Sequence, residues 1–150
     1  MNNYNFSARS LRNLGGVHGD LQKVAARALE LTEIDFMVIE GLRTEDRQRD
    51  LMAKGATKTM NSRHLTGHAI DVAAWVGEIR WDWALYDKIA VAFKQAAKEL
   101  NVDLEWGGDW KSFKDGPHFQ LSWSKYPIGK NNKNEYCEDD KKLSKKSGKA

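Results

Sequence analysis

Ser62-Arg63-His64-Leu65-Thr66-Gly67-His68-Ala69-Ile70-Asp71 runs from a polar loop, closed by Gly67, into a segment that predicts a strand over 69–75. Successive strand side chains point to opposite faces. Ile70 and Val72 therefore share one face, and Ala69, Asp71 and Ala73 the other, where small neighbours leave space beside the carboxylate for an ion. The pattern continues downstream in Asp115-Gly116-Pro117-His118-Phe119-Gln120-Leu121-Ser122-Trp123. Here His118, Gln120 and Ser122 alternate with Phe119, Leu121 and Trp123, as in a strand with one polar and one apolar face. Pro117 cannot donate a ladder hydrogen bond and suits the start of that strand. His64, Asp71 and His118 together make a three-ligand metal set. Zinc accepts imidazole nitrogen and carboxylate oxygen, and a catalytic zinc keeps its fourth position for water. Asp115 adds a second carboxylate three residues before the last ligand.

Working outward, Ile34 to Glu40 is rich in β-branched and apolar residues and reads as a central strand ended by Gly41. Thr44 is an N-cap for a helix over 45–54 with Glu45 and Asp46 in its first turn, stopped by Gly55. Arg43 lies at the strand-to-helix junction, facing a cleft. Upstream, 1–17 is polar and irregular, with a short helical turn at Ser10–Leu14 interrupted by Gly15-Gly16. Asp20 then caps a helix over 20–32, whose Leu21, Val24, Ala28 and Leu31 recur at helical spacing. His18 reads as a helix-entry residue. After Asp71, Gly77 marks a turn and Glu78 to Trp81 completes a hairpin. Asp82 caps a helix over 83–100 with the apolar stripe Leu85, Ile89, Phe93, Ala96 and Leu100. Asn101 closes that helix, and Val102 to Trp106 is a third strand broken by Gly107-Gly108.

The chain has 150 residues, 41% hydrophobic and 30% charged, which fits one soluble domain with one core. The net charge of +3 resides in 129–150, where seven lysines face four acids. We read 1–128 as the domain and 129–150 as a basic, disordered tail. Its lysines lack aromatic interleaving, so nucleic acid is not an expected partner. The single cysteine, Cys137, excludes a disulfide framework. There is no secretory signal pattern at the start and no apolar run of membrane-spanning length. A monomer without stable membrane insertion is expected.

Each candidate has a plain alternative. A histidine is more often a surface or hydrogen-bonded residue than a ligand, and Asp71 could simply accept hydrogen bonds. Taken together, the residues suit hydrolysis of a peptide bond. Zinc polarises the carbonyl and acidifies water, Asp115 is placed to be the base, and Arg43 faces the oxyanion or a substrate carboxylate. Ser62 and Gln120 are read as donors that orient ligands, and His68 as a neighbour of the site. The six tryptophans are many for this length. Trp106 and Trp110 divide between groove lining and core packing, and Trp123 is read as core.

Ser62-x-His64-x-x-Gly67-x-Ala69-x-Asp71 followed by Asp115-x-Pro117-His118 resembles the signature of the VanY-type and LAS-type zinc peptidases. Gly41-Leu42-Arg43-Thr44 with Gln48 is similar to that family's arginine motif. Glu105-Trp106-Gly107-Gly108-Asp109-Trp110, leading into Asp115-Gly116-Pro117-His118-Phe119-Gln120-Leu121, resembles the branch of L-alanyl-D-glutamate endopeptidases that includes phage endolysins. Leu14-Gly15-Gly16-Val17-His18 also resembles that branch. The resemblance covers roughly residues 8–123. It implies an α+β fold, a small single domain with helices packed on a mainly antiparallel sheet and the zinc site at one sheet face. It implies one zinc per chain on His64, Asp71 and His118, Asp115 as general base and Arg43 as the group that polarises substrate. The substrate would be peptidoglycan, cut between L-Ala and D-Glu by an endolysin made in the host cytoplasm and acting in the periplasm after membrane permeabilisation. The alternatives are a D-alanyl-D-alanine carboxypeptidase or dipeptidase of the same family, and a non-catalytic zinc-containing wall-binding module. The latter is disfavoured because Asp115 and Arg43 are both present.

Overall fold

Three strands carry the chemistry-bearing residues into one row. In a computed structural model of the chain, which describes residues 2–57 and 59–128, β1 (Phe36–Glu40), β2 (Ala69–Trp75), β4 (Leu104–Trp106) and β5 (His118–Leu121) form an antiparallel sheet in the order β1-β2-β5-β4. The short β3 (Ile79–Arg80) pairs with the end of β2. Asp71 lies opposite His118 on one side and Glu40 on the other. Side chains directly opposite in such a ladder have Cβ atoms only ~4.5–5.5 Å apart. A register shift between Val38 and Glu40 brings Glu40 opposite Asp71; bulges re-aim side chains in this way.

The opposite face is the core. Ile70, Val72 and Ala74 of β2, with Phe36, Val38, Phe119 and Leu121, pack against α2 (Gly19–Leu31) and α4 (Trp83–Leu100). Leu21, Val24 and Ala28 face Ile89, Phe93 and Ala96, all fully buried. Phe93 stacks on Phe119 with ring centroids 3.9 Å apart and meets Phe36 at 5.2 Å. Truncating such a ring costs ~3–5 kcal/mol. The α+β architecture with helices on an antiparallel sheet agrees with the sequence.

Several local expectations are corrected. β1 is an edge strand, not a central one. Its open edge is covered by α1 (Ala8–Leu14), which is a full helix rather than a single turn. Val38 N–H donates to Ser10 Oγ at 3.0 Å and Asn13 Nδ2 donates to Val38 O at 2.9 Å, so two α1 side chains occupy ladder positions a further strand would take. α2 is capped by His18, whose Nδ1 accepts from the Asp20 N–H at 3.0 Å, while Asp20 sits in the first turn. Asp82 precedes α4 but makes no side-chain cap, because Arg80 occupies its carboxylate. The apolar stripe of α4 holds at Ile89, Phe93 and Ala96 and fails at Leu100, which is exposed. Trp123 lies beyond the end of β5 and is 39% exposed, with the Arg63 guanidinium 4.2 Å from its ring, so it is not a core residue. α3 (Glu45–Ala53) starts at Thr44, whose hydroxyl caps Arg47 N–H, as expected. The tail expected over 129–150 lies outside the described residues. No helix among the described residues is long and apolar enough to cross a membrane.

Candidate metal centre and active site

His64 arrives on a 3₁₀ turn, Arg63–Thr66, where the sequence suggests only a loop. Ser62 caps this turn, its hydroxyl accepting from His64 N–H at 3.1 Å, and Gly67 ends it at φ 74°. A Cβ at Gly67 would also press on the Gly16 carbonyl, so both conformation and space call for glycine. Ser62 thus orients His64 through the backbone.

Hydrogen bonds fix both imidazole tautomers. His64 Nδ1 lies 2.8 Å from Gly41 O. A carbonyl only accepts, so Nδ1 carries the proton and Nε2 keeps its lone pair. His64 Nε2 is buried and has no hydrogen-bond partner among the described residues, yet lies 3.3 Å from Asp71 Oδ1. His118 Nε2 is 2.8 Å from Gln120 Oε1. Gln120 Nε2 donates to Glu105 Oε1 at 3.1 Å, which orients the amide. His118 Nε2 is therefore the donor, and Nδ1 points at Asp71 Oδ1, 3.0 Å away. Three acceptors then converge, all within 4.8 Å of one another. Such a cluster is repulsive unless a cation sits among them, and the donor set, two imidazole nitrogens and one carboxylate oxygen, suits zinc. The residues present fit a metal ion.

The charges of this cluster are coupled. Burial opposes ionisation of Asp71, but the imidazoles of His118 and His64 beside it outweigh that and hold the carboxyl well below its usual range. Burial opposes charge on His118 too, and the contact with Asp71 nonetheless raises its pKa. Asp115 is shifted the other way from Asp71: burial first, then the negative Asp71, push its carboxyl up. A carboxylate raised in this way is a better proton acceptor.

Arg43 is almost wholly buried, and its guanidinium is held by Glu40 and Gln48. Nε and Nη2 donate to the two Glu40 oxygens at 2.8 and 2.7 Å, and Nη1 to Gln48 Oε1 at 2.8 Å. Gln48, fully buried on α3, is anchored in turn on Thr59 O. Among the described residues three of the five guanidinium N–H groups are committed and two remain; Nη2 lies 3.9 Å from Asp71 Oδ2. Glu40 is absent from the candidates named on sequence alone. Its one signal there is an acid three residues before Arg43, close enough to pair with it. Glu40→Gln should lower stability by ~1.5–3 kcal/mol, the loss of a charge-assisted bond, measured by chemical denaturation. A change within ~0.5 kcal/mol would mean that the fork does not depend on Glu40.

Two expected neighbours lie elsewhere. Trp106 belongs to the core: it is 8% exposed, and its indole N–H donates to Gly116 O at 2.7 Å. Trp110 does adjoin the site, its ring 5.2 Å from His118. His68 bonds Thr66 Oγ1 at 2.7 Å and packs on His18 at 5.4 Å, in a cluster with Arg63 and Tyr126 rather than among the ligands. Its orientation follows from the 3₁₀ turn. Burial, then the charges of Arg63 and His18, pull the His68 imidazole down to about 3. The unfolded chain, with an ordinary His pKa near 6.5, therefore binds the proton more readily. Stability is whole above pH ~6.5 and falls toward pH 3, by up to ~1.4 kcal/mol per pH unit. His68→Gln should flatten the decline in denaturant midpoint between pH 6.5 and 4; a decline parallel to wild type would remove His68 as its source.

A model of the phage L-alanyl-D-glutamate peptidase family matches residues 2–121. The chain belongs to that family. It is 38% identical over 117 residues to the L-alanyl-D-glutamate peptidase of Escherichia phage T5, covering 75% of this chain and 85% of that one. It is 35% identical over 131 residues to the L-alanyl-D-glutamate peptidase of Listeria phage A118, covering 84% of this chain and 45% of that protein. The crystal structure of the Serratia marcescens L-Ala D-Glu endopeptidase ChiX superposes with a TM-score of 0.78 at 48% identity, covering 83% of this chain and 96% of ChiX. The D,D-dipeptidase VanXYg, at 20% identity and a TM-score of 0.52, shares the fold.

Proposed function

We propose that this protein is a zinc-dependent endopeptidase that hydrolyses the L-Ala–D-Glu bond of peptidoglycan stem peptides and serves as a phage endolysin. One observation carries the metal chemistry: the lone pairs of His64 Nε2 and His118 Nδ1 and the Asp71 carboxylate converge beside a second, raised carboxylate. The bond specificity is supported by the relatives named L-alanyl-D-glutamate peptidases and by ChiX.

When bound, zinc supplies Lewis acidity, polarising the carbonyl and lowering the pKa of water toward ~7. Asp115 takes the proton of the attacking water and passes it to the leaving nitrogen of D-Glu. Arg43, rigid in its cradle of Glu40 and Gln48, offers its two uncommitted N–H groups to the substrate carboxylate or the developing oxyanion. The Glu105–Gln120 pair holds the His118 tautomer, and the Gly41 carbonyl holds that of His64. Ligand partners of this kind typically influence metal affinity ~10–100-fold. In a phage setting the enzyme acts in the periplasm once the inner membrane is breached.

The direct test is chelation. Purified protein should contain one zinc per chain by elemental analysis, lose cleavage of an L-Ala–D-Glu peptide on dialysis against chelator, and regain it with Zn²⁺. Full activity in the metal-stripped protein would refute the zinc reading.

A further inference from the structure

Beside Asp115 runs a cleft of about 170 Å³ lined by Trp81, Trp83, Tyr86, Lys114, Asp115 and Pro117. Its aromatic wall is not core. Trp81 is 56% exposed and Trp83 51%, against 8% for Trp106 behind them. Each ring nonetheless packs against a neighbour on one side. Trp81 lies parallel to Tyr86, with centroids 6.1 Å apart and planes 2° apart, and the Tyr86 hydroxyl is tied to Arg80 O and Ala74 N–H. Trp83 meets Trp106 edge to face at 6.5 Å and packs so closely on Gly116 that a Cβ there would sit 3.2 Å from the ring. Single exposed apolar residues need no explanation. Two indoles along one cleft do, because exposed apolar patches mark binding sites.

We infer that this cleft is a saccharide subsite, which stacks the sugar ring that carries the stem peptide on the exposed indoles of Trp81 and Trp83. The inference rests on the L-Ala–D-Glu reading of the adjacent site. That bond is the first one between two amino acids of the stem peptide, one amide beyond the link from L-Ala to the lactyl group. Between its carbonyl and the sugar stand only L-Ala and the lactyl ether, two residue-sized units spanning about 7 Å when extended. A substrate with its scissile bond at Asp115 must therefore place a sugar close by, and Asp115 is itself a wall of the cleft. The volume lies below the ~300–1,000 Å³ of pockets that enclose drug-sized ligands, so it suits one ring. Flat apolar indole faces match the C–H faces of a pyranose while the sugar hydroxyls stay in water.

The test compares two substrates of the zinc-loaded protein: a disaccharide-tripeptide muropeptide, and the same tripeptide carrying only an N-terminal lactyl group. Wild type should show about 10-fold higher kcat/KM on the sugar-bearing substrate, the size of one good aromatic contact. In Trp81→Ala and in Trp83→Ala that ratio should fall toward one. A ratio unchanged in both variants would overturn the inference, whatever happens to the separate rates. A second measurement titrates the soluble disaccharide and follows indole N–H signals by NMR. Shifts concentrated at Trp81 and Trp83 support the subsite; none at saturation overturns it. If wild type cuts neither substrate at L-Ala–D-Glu, the proposed function fails while the disaccharide titration still decides the subsite. Indoles that answer to anionic phospholipid vesicles and not to the disaccharide would overturn it in favour of a membrane contact.

Discussion

Asp115→Asn should lower turnover by ~10²–10⁴-fold, the range a positioned general base contributes, while the protein keeps its metal and its fold. The amide retains the shape of the side chain but cannot accept a proton. Asp115 is not one of the three converging acceptors, so metal content should stay at one per chain. Its carboxyl is raised by burial and by Asp71, and replacing it with a neutral group removes a charge that the site destabilises. Stability should therefore hold or rise slightly. The check is kcat on an L-Ala–D-Glu peptide beside elemental analysis of the same sample. Near-normal turnover would remove Asp115 from the base role, and loss of metal would make it a ligand.

The second large effect is expected at His118. His118→Ala deletes the Nδ1 that faces Asp71 and leaves Gln120 Oε1 without its donor. Metal should be lost, and the melting temperature of the zinc-loaded protein should fall toward that of metal-stripped wild type, because binding to the folded state alone adds to stability. Gln120→Ala is the graded companion, lowering zinc affinity by ~10–100-fold with the ligands intact. Full zinc occupancy in the His118 variant, measured after extensive dialysis, would sink the ligand assignment.

Much of this site is legible in the amino-acid sequence because its geometry is written in strand periodicity. Asp71 and His118 sit on predicted strands, and antiparallel pairing places them opposite each other. Helices announced by apolar spacing, such as Trp83–Leu100, fall where expected. The features that escape the sequence depend on contacts between distant segments. Nothing in Ile34–Glu40 distinguishes an edge strand from a central one, because the edge is covered by Ser10 and Asn13 of another element. The role of Glu40 needs the register shift that sets it opposite Asp71. Trp106 and Trp83 lie close together in the fold, but one is core and the other open; composition cannot separate them. His68 follows Gly67, and only the left-handed turn there reveals that its ring joins His18 instead of His64.

The bond that is cut decides the function. Purified Gram-negative peptidoglycan digested with the zinc-loaded protein and analysed by mass spectrometry should yield peptides with a new N-terminal D-Glu, with L-Ala remaining on the glycan. Release of D-Ala or D-Ala-D-Ala with the L-Ala–D-Glu bond intact would contradict the account and place the activity at the other end of the stem peptide.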